Sequence, residues 1–183
     1  GGWLKSYDEE ALSKVQEYFS AMEEDYKNGN KSAQPDRVSA NSLRTALNRF
    51  SRGIVDNEQL KLEDEYDIPR NSLSQNILIE GIIKSGVRDA PEKALEILTE
   101  MENSFMDGQL EMKPDECSYS AVIKAHVNYK RKNSERKAEE LLVRMWKLHR
   151  NHDGNRPNIN VYNSVVNAYA SLKSARTLKK AQR

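Results

Sequence analysis

Cysteine is almost absent from this chain of 183 residues, where Cys117 stands alone. An internal disulfide framework is thereby excluded, and a lone thiol suits a reducing compartment. No stretch approaches the ~20 consecutive apolar residues that a membrane-crossing helix requires, so no membrane insertion is expected. No glycine-rich phosphate loop occurs, which removes the nucleotide-binding folds that depend on one. Net charge of one sign is missing as well, because 29 Lys and Arg nearly cancel 28 Asp and Glu. The balance hides an asymmetry. Residues 1–91 hold 12 basic against 16 acidic residues, a net −4, and residues 92–183 hold 17 against 12, a net +5. The opening Gly1-Gly2-Trp3 has no signal or transit character, so any targeting segment is expected to lie upstream or to have been removed.

What the chain does contain is a phrase written more than once. Tyr119-Ser120-Ala121-Val122-Ile123 returns as Tyr162-Asn163-Ser164-Val165-Val166. With the residue after the tyrosine as marker, Asn41, Asn76, Ser120 and Asn163 follow one another at intervals of 35, 44 and 43 residues. Ala94 to Met101, Ala138 to Met145 and Val15 to Met22 each span seven residues. A proline closes each unit, thirteen residues from Met22 to Pro35 and from Met101 to Pro114, and twelve from Met145 to Pro157. Phrases recurring in fixed order mark a repeat architecture, in which one helical pair cannot bury its apolar face and stacks on a copy of itself.

Each unit reads as two helices. In the first, Ile77, Leu78, Ile82 and Ile83 match Ala121, Val122, His126 and Val127, one stripe of a helix. In the second, Ala94, Leu95, Leu98, Met101 and Phe105 share a face, as do Ala138, Leu141, Leu142, Met145 and Trp146. Pro91 opens a second helix, where its missing amide hydrogen costs nothing. The unit at 37–71 keeps a first helix over Val38 to Phe50, but its acidic second half, Asp56 to Asp67, lacks the Ala-to-Met phrase. The two long units are expected to carry insertions at Asp107-Gly108-Gln109 and at Val127 to Lys132, where loops absorb them at small entropic cost.

Catalytic constellations fail on inspection, so no enzyme is expected. His149 and His152 lie at helical ligand spacing beside Asp153, but a third ligand is missing, and no metal is assigned. Cys117 and His126 are nine residues apart without an orienting third group. No cofactor is implied. The basic later half includes Lys124, Lys130, Arg131, Lys132, Arg150 and Arg156, with Tyr129, Trp146 and His126 among them. Such charges favour phosphates, since each neutralised phosphate releases counterions.

This layout resembles the pentatricopeptide repeat family. Its words stand here as Tyr162-Asn163-Ser164-Val165-Val166, as Glu92-Lys93-Ala94-Leu95-Glu96-Ile97-Leu98-Thr99-Glu100-Met101, and as Lys113-Pro114-Asp115. The Trp-x-x-Leu-Gly-x-x-Tyr pattern of tetratricopeptide repeats is not found. The resemblance implies an all-α fold, a right-handed α-solenoid of stacked helix-turn-helix hairpins. On its frame one array covers the chain: a partial repeat at 1–36, a degenerate one at 37–71, long ones at 72–115 and 116–158, and a truncated one at 159–183. Both ends then read as excerpts of a longer array.

By the same resemblance, the side chain after the tyrosine and the one after the closing proline read a single unstacked base per repeat. The pairs are Asn41 with Asn71, Asn76 with Asp115 and Ser120 with Asn158, while Asn163 lacks its partner. They imply the order pyrimidine, uracil, adenine. Val38, Leu73, Cys117 and Asn160 would sandwich the bases, with Asn160 departing from the apolar type. Lys84, Lys124, Lys130, Arg131 and Lys132 are the expected phosphate contacts. The implied role is binding of single-stranded RNA in organellar RNA metabolism, whether processing, stability, editing or translation, in a mitochondrion ahead of a plastid. The alternative is a structural subunit of an organellar ribosome or other large assembly, touching rRNA or ribosomal and assembly proteins without reading sequence.

Overall fold

The structure, a computed structural model, describes residues 2–50 and 65–181. Among the described residues there are seven α-helices, two short 3-10 turns and no strand, so the chain is all-helical as expected. None of these helices is long and apolar enough to cross a membrane. The acidic second half of the unit at 37–71 lies mostly outside the described residues. The chain divides into two compact units, Gly1–Gly86 and Val87–Arg183. That division falls inside the expected repeat at 72–115, at the point where Gly86 ends a helix in the left-handed conformation (φ 75°).

The first unit holds α1 (Gly2–Lys27), a 3-10 turn (Lys31–Ala33), α2 (Arg37–Phe50) and α3 (Ser72–Ser85). α1 packs on the turn and on α2, and α2 packs on α3. The Asn48 amide nitrogen donates to the Ile77 carbonyl at 2.6 Å, pinning α2 to α3. Ala40, Tyr66 and Ile68 form a buried cluster, and Tyr26 meets Tyr66 edge-on with ring centres 6.1 Å apart.

In the second unit, α4 (Ala90–Met106) is followed by a 3-10 turn (Leu110–Met112), α5 (Glu116–Asn128), α6 (Ser134–His152) and α7 (Ile159–Ala181). α4 packs on α5, and α5, α6 and α7 each pack on the other two. Pro91 stands in the first turn of α4, and the expected faces supply the core: Ala94, Leu98, Met101 and Phe105 from α4, and Ala138, Leu141 and Met145 from α6. α5 differs from a one-stripe helix. Val122, Ile123, Ala125 and His126 are all buried, because neighbours cover it from α4, α6 and α7. The insertion expected from Val127 is shorter than its sequence bounds. Val127 and Asn128 complete the last turn of α5, and α6 runs to His152, so the extra residues of this unit lengthen helices as well as the turn.

One contact recurs between α4 and α5 and between α6 and α7. The residue after the methionine meets the hydroxyl of a tyrosine. Tyr119 donates to Glu102 at 2.6 Å, and the Trp146 indole donates to Tyr162 at 3.1 Å. In the first unit the tyrosine position is occupied by Ala40, and Tyr66 packs beside Ala40 and donates to Glu23 at 2.8 Å. A tyrosine from 26 residues further along thus restores the missing contact.

Candidate nucleic-acid interface

The candidate interface is built on the starts of α2, α3, α5 and α7. Each of these helices is preceded by Asp or Asn: Asp36, Asn71, Asp115 and Asn158. Their side chains satisfy amides that a helix start would otherwise leave without partners. Asp36 Oδ1 accepts from the Ser39 amide at 2.8 Å, Asn71 Oδ1 from that of Ser74 at 2.8 Å, and Asp115 Oδ1 from that of Ser118 at 2.9 Å. Each serine hydroxyl reaches back to the backbone of its cap, closing a reciprocal capping box. Asn158 has no serine three places on, and its Oδ1 accepts instead from the amides of Asn160 (3.0 Å) and Val161 (3.3 Å). These hydrogen bonds hold the Asp36 carboxyl below the usual carboxylate range, the Ser39 amide being the largest cause.

The caps fix the register of everything else. Asn41, Asn76, Ser120 and Asn163 each lie five residues after a cap, and Val38, Leu73, Cys117 and Asn160 each lie two residues after one. Asn71 occupies the cap position although it stands two residues beyond Pro69 rather than one, so the cap, not the proline, is the invariant of these four helix starts. Two places after the cap the side chain is exposed every time: Val38 is 71% and Leu73 59% exposed, and Cys117 and Asn160 are exposed too. Five places after the cap, Asn41 and Ser120 are buried, Asn76 is half-buried and Asn163 is exposed.

In the first unit these positions converge. A groove of about 660 Å³ between α2 and α3 is lined by Val38, Asn41, Asn71 and Leu73, together with Arg37 and Arg49. Asn41 is only 8% exposed and its Oδ1 has no hydrogen-bond partner among the described residues. A buried acceptor left unpaired costs about 1–3 kcal/mol. With Asn71 Oδ1 held by its cap, the Asn71 amide nitrogen is the end that remains for a ligand, so the groove offers an acceptor and a donor between two exposed apolar walls. In the second unit, Ser120 on α5 likewise has a buried Oγ without a hydrogen-bond partner among the described residues, and Asn158 caps α7, which packs on α5. Asn76 belongs to the first unit and Asp115 to the second.

The expected phosphate contacts divide. Lys124, Lys130 and Lys132 are exposed, Lys130 in a left-handed conformation (φ 51°). Lys84 is exposed and pairs with Glu80 at 3.1 Å on the same helix face. Arg131 is tied down, its guanidinium donating to the Arg88 carbonyl and pairing with Glu92. It braces the turn after α5 against the start of α4. Cys117 is exposed and His126 buried on the same helix, about 13 Å apart along its axis, too far to act together. Among the described residues no three His, Cys, Asp or Glu stand together as metal ligands. Arg37 and Arg49 were not singled out by sequence. Arg37 is legible as the residue directly after a cap, and Arg49 as a residue eleven places, about three turns, after Val38 on the same face of α2.

No protein-family model matches the chain, and no curated protein matches it.

Proposed function

We propose that the chain is part of a pentatricopeptide-type α-solenoid that binds single-stranded RNA in an organelle, a mitochondrion ahead of a plastid, and acts by binding rather than by catalysis. The observation that carries this reading is the groove of the first unit, where a buried, unpaired Asn41 acceptor and the Asn71 amide lie between exposed Val38 and Leu73. A base edge offering a donor beside an acceptor satisfies both amides, while the two apolar side chains cover its faces. The packing of first helices on one another, α2 on α3 and α5 on α7, supports stacked hairpins.

The reading is tested by fluorescence anisotropy with short RNA homopolymers. Asn41→Ala is expected to weaken binding about tenfold on the preferred base, a pyrimidine by the family resemblance, and much less on the others. Unchanged affinity of this variant for every oligomer contradicts the reading. A second reading, a scaffold subunit of an organellar ribosome or other assembly, is favoured by one observation: Asn71, Asp115 and Asn158 each engage a side-chain oxygen in a helix cap. Under that reading wild-type binding is salt-steep and indifferent to base identity.

A further inference from the structure

The end of α6 carries a cluster that the base-reading positions do not use. The Arg150 guanidinium lies 5.6 Å from the centre of the Trp146 ring, and that of Arg156 lies 5.3 Å from it. Arg150 is one turn along the same helix, whereas Arg156 arrives from the loop before α7. That loop is held in place by short-range contacts. The Gly154 amide donates to the Leu148 carbonyl at 3.1 Å, and His149 Nδ1 donates to the Gly154 carbonyl at 2.8 Å. A Cβ on Gly154 would stand 2.9 Å from Leu148 Cγ, so only glycine lets the loop pass this close. The indole N–H is used on Tyr162, which orients the ring.

Both arginines are exposed, and neither forms an ion pair with a carboxylate among the described residues, Asp153 included. Contact with a ring holds a guanidinium without using its N–H donors, which stay available as a fork that matches phosphate. We propose that Trp146, Arg150 and Arg156 form a clamp for the phosphodiester backbone of single-stranded RNA, apart from the base-reading positions. Arg150 and Arg156 supply the donors, and Trp146 is the positioning residue. The proposal rests on the RNA-binding reading. An RNA strand is favoured over an acidic peptide because Tyr162, 39% exposed beside the pair, offers a ring face to an unstacked base, which a peptide carboxylate does not need.

The test compares wild-type protein, the double variant Arg150→Ala with Arg156→Ala, and Trp146→Leu, each checked by circular dichroism, on one pyrimidine homopolymer across a salt series. Each phosphate contact to a single strand contributes about 0.7 to the slope of log affinity against log salt, so the double variant should lose about 1.4 of slope. Trp146→Leu should keep most of the slope and lose affinity about threefold, because the charges remain and their positioning is lost. Base preference should be unchanged in both. An unaltered slope in the double variant overturns the clamp while leaving the RNA reading intact, and so does an equal loss on polyglutamate. Absence of wild-type binding to any RNA oligomer overturns the RNA reading itself, and the clamp with it.

Discussion

Glu102, Tyr119 and Arg144 show how single residues hold the second unit together. Arg144 donates through Nε to Glu102 at 3.1 Å and through Nη2 to both Glu102 and Thr99, and Glu102 also accepts from Tyr119. Burial, reinforced by the carboxylate, pushes the Tyr119 phenol well above its ordinary value. Since Glu102 is 10% and Arg144 24% exposed, Glu102→Ala leaves a largely desolvated cation and should cost about 3–5 kcal/mol by urea unfolding. Tyr119→Phe should cost about 1 kcal/mol. A loss below about 1 kcal/mol for Glu102→Ala would contradict this role. His126 adds a pH dependence. Burial holds its imidazole below its ordinary value near 6.5, with Lys137 and Arg131 acting in the same direction and Glu92 and Glu140 opposing. The unfolded chain therefore binds the proton more readily than the folded one, so stability rises with pH through this window and falls as pH drops below about 6.5. His126→Gln should flatten the slope of unfolding free energy between about pH 5 and 7. An identical slope in the variant would remove His126 as the cause. At this scale the tyrosine of the repeat phrase was legible because it recurs, whereas its replacement by Tyr66 beside Ala40 was not, since nothing local pairs those two residues.

The helix starts are the elements that serve two purposes. An Asp or Asn followed three residues later by Ser is a local signal, and it stands three times in this sequence as a capping box. It marks the starts of α2, α3 and α5 locally, whereas α7 starts after Asn158 without it. Asp115→Ala should therefore destabilise the protein by about 1 kcal/mol and Asp115→Asn should restore most of that, as measured by urea midpoints. No stability change in Asp115→Ala would mean the cap is idle. The second helices were legible from their apolar faces, since Ala94, Leu98, Met101 and Phe105 recur at helical spacing and are buried. α5 was less legible because it is covered from three helices, which erases a one-sided stripe. The bracing of the turn after α5 by Arg131 joins residues 43 and 39 apart in sequence and left no local pattern to find.

At the scale of the whole molecule, charge follows the division into units. Residues 1–86 hold 11 Lys and Arg against 15 Asp and Glu, a net −4, while residues 87–183 hold 18 against 13, a net +5. The groove with paired amides is in the acidic unit, and Lys124, Lys130 and Lys132 are in the basic one, so base contact and phosphate attraction are expected to be separable. The four helix starts were legible because each cap precedes its marker residue by five positions, at Asp36, Asn71, Asp115 and Asn158. The convergence of Val38, Asn41, Asn71 and Leu73 was legible only through the family resemblance, since spacing alone does not show that α2 and α3 present these residues to one groove. The most direct test is photocrosslinking of a 4-thiouridine oligonucleotide, with the attachment sites mapped by mass spectrometry. The account predicts crosslinks within 37–49 and 71–77, lost in Val38→Asp. Crosslinks confined to other segments, or unaffected by that substitution, would contradict it.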